Sequence, residues 1–125
     1  MARVLVVEDD PDNRAVLESW LRWMGHDVLS AASAQEGWNL IAPTEADPGP
    51  KVDVAVLDIV MPEVSGLQVL NHMRHQSAYA RMPAIFLSAS DVAADRAAAR
   101  SMGAQFITKP VTRSVLQAAI EAAFF

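Results

Sequence analysis

Glu8-Asp9-Asp10, Asp58, Ser88 and Lys109 stand far apart in the chain, each at the end of a short run with strand character. Acids, a hydroxyl and an ammonium are the groups that a hard divalent cation and a phosphoryl group require: carboxylate oxygens for the metal, O–H and N–H donors for the phosphoryl oxygens. The most telling run is Val54-Ala55-Val56-Leu57-Asp58, where four apolar residues deliver one carboxylate before Pro62 and Ser65-Gly66 turn the chain. Taken alone, Asp58 is as well read as a turn or helix-capping acid. Acids beside a core are nevertheless seldom left without a partner or a task, because desolvating an unpaired carboxylate is expensive.

The elements that must position these groups are legible along the chain. Arg3–Val7 reads as a strand ending at the acidic run, and Pro11 then opens a helix where its missing N–H costs nothing. Val16, Leu17, Trp20, Leu21 and Met24 form its apolar stripe, with Arg14, Glu18 and Arg22 at i, i+4 spacing opposite and Gly25 as its stop. Asp27–Ala31 is a weaker strand, and Ser33 to Glu36 is a capping box for a helix reaching about Ile41. Trp20, Trp23 and Trp38 are expected to pack inside. Pro43, Pro48, Gly49 and Pro50 mark an exposed connection too short to divide the chain.

After Asp58, Ser65-Gly66-Leu67-Gln68 is a second capping box, opening a helix through Arg74. Ala84–Ser88 is an apolar strand ending on a hydroxyl. Asp91 is expected to cap an alanine-rich helix closed by Gly103, and Gln105–Thr108 is the last strand, running into Lys109-Pro110. Thr112 caps the final helix, with Val115, Leu116, Ala119, Ile120 and Ala123 turned inward. His26, His72 and His75 have no ligand spacing and are expected on the surface.

Composition narrows the function classes. A chain of 125 residues with 52% hydrophobic content suits one domain with a real core, and no apolar run approaches the ~20 residues of a spanning helix. A net charge of -5, with ten Lys and Arg in no cluster, speaks against direct nucleic-acid or anionic-membrane binding. Without cysteine there is neither a disulfide framework nor a thiolate metal site. With no secretory leader in the sequence, the cytoplasm is the expected location, and residues 1–125 are expected to form a single domain.

Strands alternating with helices predict a parallel sheet covered on both faces, and such sheets bind ligands beyond the carboxyl ends of their strands. Glu8-Asp9-Asp10, Asp58, Ser88 and Lys109 all fall at that edge. Were each only a turn residue, no complementary set would be expected there.

Val4-Leu5-Val6-Val7-Glu8-Asp9-Asp10, Leu57-Asp58-Ile59-Val60-Met61-Pro62 with Gly66, Leu87-Ser88-Ala89 and Thr108-Lys109-Pro110 resemble, in order and spacing over the whole chain, the receiver domain of two-component response regulators. The resemblance implies an α/β flavodoxin-like fold, a five-stranded parallel sheet of order 2-1-3-4-5 with five helices on its two faces. It implies a phosphoryl switch: Asp58 as phosphoacceptor from a phosphohistidine on a sensor histidine kinase or histidine phosphotransfer protein. It implies Mg²⁺ held by Asp9, Asp58 and the backbone carbonyl of Val60, with Glu8 acting through water. Lys109 and Ser88 would contact phosphoryl oxygens, Ser88 and Phe106 would form the switch, and Pro110 would follow a cis peptide that aims Lys109. The output would be the surface of the fourth helix, fifth strand and fifth helix, read by an effector protein or an attached output domain. Such a protein is a switch rather than an enzyme, catalysing at most its own phosphorylation and dephosphorylation.

Elementary electrostatics supports that assignment. Two carboxylates ~4 Å apart repel by roughly 4 kcal/mol at an effective dielectric of 20, which a divalent cation reverses. Asp10 is surplus and better read as a helix N-terminal acid. Ser88 stands where Thr is more frequent, Phe106 lacks the hydroxyl of the commoner Tyr, and residues 103–106 lack the acidic pair of receivers that dimerise through salt bridges. Val60 and Ser90, flanking the path of a hydrolytic water, offer little to orient it, which predicts a long-lived phosphoryl group. A haloacid dehalogenase would need a second acid where Val60 stands, and a nucleotide-binding module would not place three acids after its first strand. A receiver-like scaffold that binds partners without phosphorylation is the remaining alternative.

Overall fold

The computed structural model describes residues 2–89 and 91–124, so the expectation for Ser90 lies outside the described residues. Its elements are β1 (Arg3–Val7), α1 (Pro11–Trp23), β2 (Asp27–Ala31), α2 (Ala34–Ile41), β3 (Val54–Asp58), α3 (Gly66–Arg74), a 3-10 turn (Ser77–Tyr79), β4 (Ala84–Ser88), α4 (Ala93–Ser101), β5 (Gln105–Thr108) and α5 (Arg113–Ala122). The strands pair in parallel in the order β2-β1-β3-β4-β5. This is the flavodoxin-like sheet expected from the sequence.

Strand alternation divides the core in two. Leu5, Val7, Ala55, Leu57 and Phe86 face α2, α3 and α4, where Ile41, Val69, Leu70, Met73 and Ala99 meet them. Val4, Val6, Val54, Val56, Ile85 and Leu87 face α1 and α5, meeting Leu17, Leu21, Leu116 and Ile120. Every residue of β3 and β4 is buried, as central strands covered on both faces require.

Local chemistry explains the helix ends. Asp10 caps α1, accepting from the N–H groups of Asp12 and Asn13, in keeping with its reading as a helix N-terminal acid. Ser65 and Gln68 form the reciprocal capping box of α3, and Thr112 caps α5 through the Val115 N–H. Gly25 and Gly103 take φ of +93° and +68°, the left-handed conformation that ends α1 and α4 without a Cβ clash.

Several expectations are corrected. Ser33 caps α2 through the Glu36 N–H, but the Glu36 carboxylate reaches back to the N–H of Ala32 rather than Ser33, so the box does not close. Asp91 does not cap α4: Val92 occupies the N-cap without a side-chain bond, and Asp91 is drawn to Arg96. Val16 and Val115 are close to half exposed, because the outer edges of a broad apolar stripe pass beyond the sheet. Trp23 is 62% exposed and carries the Arg113 guanidinium 4.1 Å from its ring centre instead of packing inside. Arg14 leaves the i, i+4 row that Glu18 and Arg22 keep and turns to the backbone of Glu8. His26 is half-buried and accepts from the Ala2 N–H, whereas His72 and His75 are exposed as expected.

The exposed 42–53 connection is tied down by Tyr79. Its buried hydroxyl donates to the Ile41 carbonyl (2.7 Å) and accepts from the Lys51 N–H (2.9 Å). No helix among the described residues is long and apolar enough to cross a membrane.

Candidate functional site

At the carboxyl edge of the sheet the strand ladder continues one residue past β1, β3 and β5, and this aims the site. The Glu8 N–H donates to Ala31 (3.1 Å), Ile59 N–H to Leu87 (2.9 Å) and Lys109 N–H to Ser88 (2.7 Å), all through backbone carbonyls. Glu8, Asp58 and Lys109 are thereby held on rigid backbone rather than on free loops. Gly66 closes the β3–α3 loop over this edge: a Cβ placed there would lie 2.3 Å from the Asp58 carbonyl oxygen, so only glycine fits.

Glu8, Asp9 and Asp58 converge, with one carboxylate oxygen of each within 4.8 Å of the others. Glu8 is 1% exposed and Asp58 5% exposed, while Asp9 opens to solvent. The Lys109 ammonium lies 3.4 Å from both Glu8 oxygens and 3.5 Å from Asp58 Oδ1. Burial, and then the charge of Glu8, push the Asp58 carboxyl up to about 7, against the opposing pull of Lys109 and of a hydrogen bond from the Val60 backbone. One ammonium is thus shared by two buried acids with a third beside them. An all-oxygen donor set of this kind fits a hard divalent cation such as Mg²⁺, whose charge offsets the repulsion that the lysine alone leaves.

Ser88 is fully buried at the end of β4, paired in register with Thr108. The Val60 side chain is 60% exposed at the mouth of the site, so only its backbone turns toward Asp58. The peptide between Lys109 and Pro110 is cis. Phe106 does not join the acids: its half-buried ring lies on the α4 face of β5, under the Arg96 guanidinium at 4.6 Å.

The structure adds residues that sequence reasoning did not assign to the site. The Asn13 amide donates to Glu8 Oε1 (3.3 Å), and Arg14 donates to the Glu8 backbone carbonyl (2.9 Å). Both sit in the first turns of α1, where the helix start fixed by Pro11 turns them toward β1, and that spacing was the available signal. Beside Lys109 a cavity of about 390 Å³ is lined by Asn13, Val16, Leu17, Trp20, Pro110 and Val111 among others.

The family model of the response regulator receiver domain matches residues 4–121. Protein PilH of Pseudomonas aeruginosa is 32% identical over 123 residues, covering 98% of this chain and 97% of PilH. A chemotaxis protein CheY homolog of Campylobacter jejuni is 32% identical, covering 95% of this chain and 89% of the homolog. Among solved structures, the receiver domain of sensor histidine kinase PA1611 from Pseudomonas aeruginosa, with a magnesium ion coordinated in its active-site cleft, superposes with a TM-score of 0.82 at 26% identity, covering 98% of this chain and 96% of that one. Matched from β1 into α5 and nearly end to end with such relatives, the chain belongs to the response regulator receiver domains of two-component signalling.

Proposed function

We propose that this receiver is a phosphorylation-dependent switch in which Asp58 accepts a phosphoryl group from the phosphohistidine of a sensor histidine kinase or histidine phosphotransfer protein. The observation that carries the reading is the Lys109 ammonium held between the buried carboxylates of Glu8 and Asp58.

An Asp58 carboxylate oxygen attacks phosphorus as the P–N bond to imidazole breaks, and the imidazole leaves with that electron pair. A carboxylate is a weak nucleophile toward an anionic phosphoryl group, so positioning and positive charge do most of the work. Asp58 is oriented by the β3 backbone and by the Val60 N–H. Lys109, a compact cation, donates to a phosphoryl oxygen once the group arrives, and the Ser88 hydroxyl donates to another. Glu8, Asp9, Asp58 and the Val60 carbonyl are the groups to hold Mg²⁺, which when bound supplies charge against the phosphoryl oxygens. Asn13 and Arg14 keep Glu8 in place from behind.

Adding about two negative charges at Asp58 draws the Ser88 hydroxyl inward and leaves room for Phe106, so that α4 and β5 repack. Ala93, Ala94, Ala97, Ala98 and Ala99 bury little area per residue, so α4 moves at low packing cost. The altered surface of α4, β5 and α5 then engages an effector protein or an attached output domain. Residues 1–125 act as a single receiver unit, working in the cytoplasm without nucleic-acid or membrane binding of its own. It is a switch rather than an enzyme, beyond its own phosphorylation and dephosphorylation.

Incubation with acetyl phosphate or phosphoramidate and Mg²⁺ tests the reading. Intact mass should rise by one phosphoryl group, and Asp58→Asn should abolish the gain. The same gain in that variant overturns the assignment, and no gain in the wild type overturns the switch itself.

A further inference from the structure

Arg96 on α4 touches three residues at once, Asp91 just before its own helix and Phe106 and Thr108 on β5. It stands in the first turn of α4, and its Nε and Nη2 both lie 2.9 Å from Asp91 Oδ1, in the segment that leads into the helix. Nη2 also donates to the Thr108 hydroxyl at the end of β5 (3.3 Å), and the guanidinium carbon sits 4.6 Å from the centre of the Phe106 ring. Thr108 immediately precedes Lys109 and is paired in register with Ser88. By strand alternation Phe106 and Thr108 point to the same face of β5, and Arg96 spans both.

We propose that Arg96 is an autoinhibitory latch. Resting on the switch reading above, it holds the half-buried Phe106 ring in place beneath the guanidinium and β5 against α4, so that the signalling arrangement forms only when the guanidinium is displaced. Three features support this. A planar cation over an aromatic face is attracted to the ring only while the ring stays beneath it, so inward rotation of Phe106 forfeits that contact. The bond to Thr108 ties α4 to the strand that carries Lys109, so repacking of the two elements stretches it. Asp91, spared from capping α4, pins the guanidinium over the ring by neutralising and orienting it. Exposed ion pairs are individually weak, which suits a latch that must open.

Arg96 pairs with Asp91 and not with Glu8, Asp9 or Asp58 among the described residues, so it acts on the equilibrium between two arrangements and not on the phosphoryl site. A contact that stabilises one arrangement weakens any ligand that selects the other, and removing the contact strengthens that ligand.

Beryllofluoride, a phosphoryl mimic, with saturating Mg²⁺ is the probe, and half-saturation is followed for wild type, Arg96→Met and Asp91→Asn. Methionine keeps helix propensity and aliphatic bulk while removing charge and donors. Arg96→Met should bind beryllofluoride roughly three- to tenfold more tightly than wild type, the range that one lost cation–π contact and two weak polar contacts allow. Asp91→Asn, a surface change with little bearing on folding, should show a smaller gain in the same direction, because the guanidinium stays near the ring but loses its tether. Amide exchange at Phe106 should rise in both variants before beryllofluoride is added. Unchanged or weaker affinity in both variants, with normal saturation of the wild type, overturns the latch and leaves the switch standing. Failure of the wild type to respond to beryllofluoride overturns the switch reading and the latch with it.

Discussion

The ammonium of Lys109 lies 3.4 Å from both carboxylate oxygens of Glu8, a residue 101 positions earlier in the chain. The same nitrogen is 3.5 Å from Asp58 Oδ1. One cation therefore restrains two acids that would otherwise face each other at the buried edge of the sheet, and the proposed phosphoryl site and the stability of that edge depend on the same group.

Lys109→Met should expose this dependence. Without the ammonium, two buried carboxylates repel uncompensated, which should cost about 1–3 kcal/mol at pH 8 in the absence of Mg²⁺, less than for a fully enclosed pair because Lys109 is partly solvated. At pH 5, where Asp58 carries its proton, the loss should shrink. Urea unfolding of both proteins at the two pH values measures it, and an equal loss at both means that the repulsion is not the cause.

Asp58 should also give the protein a distinctive pH profile. A carboxyl raised from 3.8 to about 7 on folding holds its proton more tightly in the folded state than in the unfolded one. Its contribution is fully present below about 3.8 and is lost as pH rises to about 7. In chelator-treated protein, the stability of Asp58→Asn relative to wild type should therefore increase across that window and level off above it. Mg²⁺ should narrow the gap by binding the folded wild type. A difference in thermal midpoint that is constant across the window would mean that Asp58 titrates as an ordinary carboxyl.

Gly66→Ala should disturb the site from beneath. The added methyl would meet the Asp58 carbonyl oxygen at 2.3 Å, a backbone atom that cannot swing aside. The β3–α3 loop must shift, at a cost of roughly 1–3 kcal/mol. Urea midpoints read the cost, and the yield of acetyl phosphate labelling should fall with it. Full stability and full labelling together would show that the loop has slack.

Phosphoryl lifetime should respond to Val60. Its side chain is 60% exposed at the mouth of the site and offers a water no hydrogen bond. Val60→Asn places an amide there and should speed loss of the phosphoryl group by roughly two- to tenfold, a small part of what a positioned proton acceptor can supply. Decay of the labelled mass under identical Mg²⁺ gives the comparison, and equal rates would show that this side chain does not set the lifetime.

The backbone of this protein was legible in its sequence because its punctuation is local. Pro11, Gly25, Ser65 with Gln68, Gly103 and Thr112 act through groups at most a few residues away, and the elements begin and end where those residues require. The buried runs of β3 and β4 announced central strands, and a parallel sheet brings Glu8, Asp58, Ser88 and Lys109 to one edge however its helices lean.

Which partner each polar side chain chose was left to the tertiary structure. Asp91 had a helix to cap and took Arg96, because the guanidinium meets it at 2.9 Å and is itself held by Phe106 and Thr108, which belong to another element. Arg14 had Glu18 four residues on and took the Glu8 carbonyl, while Glu36 passed over Ser33 for Ala32. Val16 lies on an apolar stripe that the sequence marks as internal and Trp23 stands beside that stripe, but the stripe is wider than the groove that receives it, so only Leu17 and Leu21 are enclosed. A capping or pairing signal in sequence names the bonds that a residue can make. Distances between elements, absent from any local pattern, decide which of them it makes.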